Sequence, residues 1–162
     1  MILIILAMLL QNPEPKKMDC PMHEQHVKDQ SLESRGEHAM GFSQTETTHH
    51  FLLRPDGGVI QVEANRSDDS ANKDMIRVHL RHIATAFQAG DFDIPMFVHD
   101  TVPPGVPDMK KLQSKISYSY EETAQGGRVV IVTKDADAKE AVHKFLRFQI
   151  EEHKTGDRTE TR

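Results

Sequence analysis

The chain lacks several residues and patterns that would point to familiar functions. It has one cysteine in 162 residues, so no disulfide framework can form within it. Basic charge is not in excess. Twenty Lys and Arg stand against 25 Asp and Glu, a formal charge of −5, which excludes a nucleic-acid partner gathered by bulk charge. No apolar run exceeds the ten residues from Met1 to Leu10, too few to cross a bilayer, so no stable membrane span is expected. Gly-x-Ser-x-Gly, the phosphate-binding Gly-x-x-x-x-Gly-Lys, Gly-x-Gly-x-x-Gly and His-Glu-x-x-His are all missing. His23-Glu24-Gln25-His26 is one residue too short for the last of these. Cys-x-x-Cys-His is absent too, which removes covalent haem attachment. Tryptophan is missing, and Phe and Tyr together number nine.

Histidine is what the chain has in plenty. Ten imidazoles outnumber the nine Phe and Tyr rings, and eight of the ten lie before residue 100. Such a surplus raises the question of metal ions or protons. At an ordinary imidazole value near 6.5, metal held by these rings is expected to be lost between about pH 7.5 and 5.

The length suits one domain with a core of its own. Residues 1–11 read as a leader resembling the apolar part of a secretory signal, without the basic residues that usually precede it. A start called too late would explain that lack, and the expected location is periplasmic or secreted. Residues 12–42 form a polar arm or helix that holds His, Met and Cys. Residues 43–153 read as one α+β domain, and 154–162 as a frayed tail without apolar residues.

Inside the domain one pattern occurs twice. Thr47 to Leu53 and Val59 to Ala64 read as strands joined at Pro55-Asp56-Gly57-Gly58. A helix follows to about Gln88, with Ile76, Leu80, Ile83 and Phe87 as its stripe. Asp91 to Pro107 reads as a long loop. Then strand, Gly126-Gly127, strand and helix return, with Val142, Phe145, Leu146 and Phe148 as the apolar residues of the second helix. The units are 43–91 and 114–153, separated by 92–113. The expected fold is two strand-strand-helix units in a four-stranded, mostly antiparallel sheet with two helices on one face.

Aligning the units gives the histidines directions. His49 falls on Tyr118, His79 on Phe145 and His82 on Phe148. The first unit thus has imidazoles where the second has rings. His49 on the sheet with His79 and His82 on the helix makes a candidate zinc or copper site with an open position. His99, next to Asp100, offers a further imidazole. A second donor group, Cys20, Met22, His23 and His26, combines thiol, thioether and imidazole, a set suited to copper(I) and less specifically to zinc.

Cys20-Pro21-Met22-His23 resembles the short heavy-metal-binding segment found beside bacterial copper and heavy-metal export proteins. Met18 stands where that segment has an aromatic residue, and Glu24 where it has a proline. The run from His38 to Phe51, Gly57 to Ile60, the helix from Ile76 to Phe87, Pro103 to Pro107 and Phe145 to Phe148 resemble a family of small exported bacterial proteins. That resemblance implies a single-domain protein and carries no activity with it.

The expected function is therefore metal binding, copper before zinc, for sequestration or handover. Two alternatives stay open. One is a haem or small-ligand module lined by Met40, Met96 and the histidines. The other is a metal-dependent enzyme using Glu63 or Asp100 as base.

Overall fold

The computed structural model describes residues 32–161. The leader and the Cys20–His26 donors lie outside the described residues. The elements are α1 (Leu32–Met40), β1 (Thr47–Arg54), β2 (Gly57–Ala64), α2 (Ser70–Gln88), α3 (Asp93–His99), α4 (Val106–Lys111), a 3-10 turn (Gln113–Lys115), β3 (Ile116–Thr123), β4 (Gly126–Thr133) and α5 (Ala136–His153). The fold is α+β. The four strands form one fully antiparallel sheet in the order β1-β2-β4-β3. No helix among the described residues is long and apolar enough to cross a membrane.

Both long helices begin at an aspartate. Asp69 accepts the Asn72 N–H, and Asp135 accepts the N–H groups of Asp137 and Ala138. Their stripes supply the core. Ile76, Leu80, Ile83 and Phe87 are buried on α2, and Ala138, Val142, Phe145 and Leu146 on α5. They pack on Phe51, Leu53, Ile60, Val62, Val129 and Ile131, which alternate onto one face of the sheet.

The two units are joined reciprocally. The Thr133 N–H donates to Asp56 O in the first hairpin turn, and the Ala64 N–H donates to Gln125 O in the second, both at 2.8 Å. The pairing β2-β4 places the second strands of the units side by side in the centre. Each helix then lies mainly over the other unit's hairpin: α2 over β3 and β4, α5 over β1 and β2.

The stretch expected to be one long loop contains two short helices. Seven and six residues are too few to show a helical period. Gly105 adopts a φ of 88° ahead of α4, with Pro107 in its first turn. A Cβ on Gly105 would stand 2.2 Å from Ala141 O, so the loop rests directly on the α5 backbone.

Side chains close both sheet edges. The Phe51 N–H of β1 donates to Asp157 Oδ2 at 2.9 Å, and His50 Nδ1 lies 2.9 Å from Asp157 Oδ1. The tail is thus tied to the sheet at Asp157. Burial would raise that carboxyl. The bonds from Thr155, Phe51 and His50 outweigh burial and hold it below the usual carboxylate range. At the other edge the Gln88 amide accepts from Tyr118 N–H and donates to Ile116 O. Capping of this kind keeps an edge from pairing with another chain.

His143 braces the first hairpin from α5. Its Nε2–H donates to Arg54 O and Gly57 O, each at 2.9 Å, and the residue is buried. His143→Ala leaves these carbonyls without that partner. A stability loss of about 2–3 kcal/mol is expected in urea unfolding. A loss no larger than that of an exposed substitution such as Lys144→Ala would show that the brace carries no weight.

Candidate functional site

A cavity of about 70 Å³ lies between the sheet, α2, α3 and the end of α5. Four histidines line it, each delivered by a different element. His49 comes from the core face of β1, His79 from α2, and His99 and His153 from the last residues of α3 and α5. Met40, the last residue of α1, joins them, with Phe51, Ile60, Val62 and Leu80 among the apolar lining.

The rings form a connected row. His49 and His153 stand parallel, 8° between planes and 5.7 Å between centroids. His99 meets His153 edge-on at 5.1 Å. On the other side Phe42 wedges between two imidazoles, with its centroid 6.0 Å from His49 and 5.6 Å from His79.

Burial sets the charge of this row. Desolvation lowers His49 and His79 to about 4, with help from His79 and His50 for the former and from His82 for the latter. His153 falls to about 3 by desolvation, then by repulsion from His49 and His99. His99 is also lowered by desolvation, although Gln149 and Glu152 oppose the shift. The ordinary value near 6.5 therefore does not apply to these four rings. They are neutral at physiological pH, the form in which imidazole binds a metal.

Three polar atoms here have no hydrogen-bond partner among the described residues: His49 Nε2, His99 Nδ1 and Gln149 Nε2. His99 Nε2 is paired with Gln149 Oε1 at 2.9 Å. The carboxylate of Glu152 stands 3.8 Å from His99 Nδ1. Unpaired polar atoms in an apolar chamber cost free energy, so they favour a guest that satisfies them.

Three of the sequence-derived candidates meet here: His49, His79 and His99. His82 does not join them; it is exposed. The reason is helical phase. At 100° per residue the buried stripe of α2 centres about 80° from His79 but about 140° from His82. His38 is exposed as well. Met40 lines the cavity and Met96 does not. Glu63 alternates onto the sheet face opposite the helices, and Asp100 is exposed, so neither adjoins the cavity. Cys20, Met22, His23 and His26 lie outside the described residues.

Sequence reasoning missed His153, Gln149 and Phe42. His153 belongs to the unit thought to be poor in site histidines. It reaches His49 because α5 crosses onto β1, a consequence of β2 pairing with β4.

Among the described residues, no group of three or more His, Cys, Asp or Glu stands ready to hold a metal ion. The rings form contacting pairs, and a third ligand would need a side-chain rotation. The volume also discriminates. Pockets for drug-sized ligands run from about 300 Å³ upward, so a chamber of about 70 Å³ suits an ion or a few waters rather than haem. No family model, curated protein or solved structure matches the chain.

Proposed function

We propose that the protein binds monovalent copper in the histidine cavity, for sequestration or handover outside the cytoplasm. The observation that carries this reading is the buried Nε2 of His49, without a hydrogen-bond partner among the described residues, beside the parallel ring of His153. Copper(I) accepts two imidazoles where zinc asks for four ligands. The cavity supplies neutral donors and an apolar wall, with the Glu152 carboxylate beyond His99. A dication in such a place keeps most of its desolvation cost, and a soft monocation keeps far less. The Met40 thioether adds a soft donor on the same wall. Cys20, Met22, His23 and His26 would extend the soft-donor supply, and the apolar run from Met1 to Leu10 fits export to the periplasm or beyond.

The test uses the full chain. Under anaerobic conditions it is loaded with copper(I), in parallel with zinc(II), desalted and assayed for metal. Copper retention and a copper-dependent rise in melting temperature are expected, since a ligand that binds only the folded state stabilises it. The rise should vanish in the His49→Ala, His153→Ala double variant and persist in Cys20→Ser. A wild-type chain that keeps neither copper nor zinc overturns the reading. Zinc kept in preference to copper overturns the choice of metal.

A further inference from the structure

Alongside the cavity-lining His79, α2 presents two further donors on the same side. Met75, His79 and His82 occupy positions i, i+4 and i+7, and such positions are neighbours on a helix surface. Met75 is 43% exposed, although it is a large apolar residue, and Val78 beside it is 60% exposed. The Met75 side chain lies over the turn after α1: a Cβ on Gly41 would stand 2.9 Å from Met75 Cε. Gly41 follows Met40 directly, and Met40 lines the chamber. His79 is the one member of the trio that also lines the chamber, and it feels the charge of His82. Nothing in the packing of the core requires Met75 or His82, because the buried stripe of α2 is complete without them.

We infer that Met75, His79 and His82 form an outer capture site for a soft monovalent ion, which passes through His79 to Met40, His49 and His153 inside. The inference rests on the copper reading of the cavity. A thioether with two imidazoles is a soft set, so the trio selects copper(I) or silver(I) over zinc(II) before the chamber is reached. His79 belongs to both the outer trio and the chamber lining, so inward transfer runs through its ring past the Phe42 side chain.

The experiment compares the full-length chain with the Met75→Leu, His82→Gln double variant. Both positions are exposed or half-exposed, and neither lines the cavity. Copper(I) is supplied from a coloured chelator and its transfer is followed by absorbance. In the variant the loading rate should fall roughly tenfold, the low end of the loss seen when a supporting group leaves a metal site, while final copper content is unchanged. Zinc uptake should not respond. As a second measurement, silver(I) is added to chain labelled with ¹³C at the methionine methyls. The Met75 signal should move at lower silver than the Met40 signal.

Loading at the wild-type rate with a silent Met75 methyl overturns the capture site and leaves the buried site standing. Loss of all copper from the double variant also overturns the relay, because the helix face would then be the whole site. The His49→Ala, His153→Ala chain separates the two ideas. With capture intact and the inner site gone, it should hold silver(I) weakly and still shift the Met75 methyl.

Discussion

The melting temperature of the metal-free chain should fall steeply as pH drops from 6.5 toward 4. His49, His79 and His153 set this limb. In the folded state they resist protonation until about 4, 4 and 3, while the unfolded chain takes up protons at the ordinary value of 6.5. Above 6.5 neither state holds these protons, and the full stability is present. Below it the unfolded state gains protons that the folded state refuses, so stability is lost as pH falls. Each ring contributes about 1.4 kcal/mol per pH unit, and three together about 4 kcal/mol per unit. That is at most about 10 kcal/mol by pH 4, enough to unfold a domain of low or middling stability within the ordinary range of about 5–15 kcal/mol. Replacing His79 by Phe, the residue at the matched place in the second unit, should flatten the limb by about one ring's share. A melting temperature that stays level from pH 7 to 5 would mean that the rings are not buried as neutral imidazoles.

The same burial bears on function. A native-state ring that protonates only near pH 4 offers its lone pair to a metal across the whole range in which a free histidine would start to lose it. Metal and protons would then compete mainly through unfolding. Copper should shift the acid midpoint downward by stabilising the folded chain.

The architecture was legible because local signals agreed. Two Gly-Gly turns between strand-like runs and the apolar residues of two helices led to the order of the four strands and two long helices and to those helices on one face, while the two short helices between the units were read as loop. The capping role of Asp157 was not legible, because a tail without apolar residues can still be held by hydrogen bonds to a strand edge. The site was half legible. His49 and His79 could be placed by alternation and period, and the structure brings both to one chamber. His82 shares one side of α2 with His79, but the alignment of the units does not show how far each lies from the buried stripe, and His82 is exposed. His153 needed the pairing of β2 with β4, a long-range fact that no local window contains. With that pairing, helix crossover places the end of α5 over β1, and the second unit donates an imidazole to the first.

Phe145→Ala should be the most damaging single truncation in the core. Phe145 is 1% exposed, meets Phe87 edge-on at 5.9 Å and Phe92 at 6.3 Å, and forms part of the cavity wall. Its loss removes transfer free energy and aromatic contacts at once and leaves a void beside the existing chamber. A cost of about 3–5 kcal/mol and a drop in melting temperature of roughly 10 °C are expected. Phe148→Ala, three residues on and half-buried against His99, should cost clearly less. The truncated chain should also gain a property. Removing the ring at 145 joins its space to the existing chamber, and a dry, apolar void of that kind takes up small apolar guests. Benzene should therefore raise the melting temperature of Phe145→Ala and leave that of the parent unchanged. Equal costs at 145 and 148, with no benzene response, would show that the core around the histidine row is loose enough to refill. The pre-formed chamber on which copper binding depends would then be lost as well.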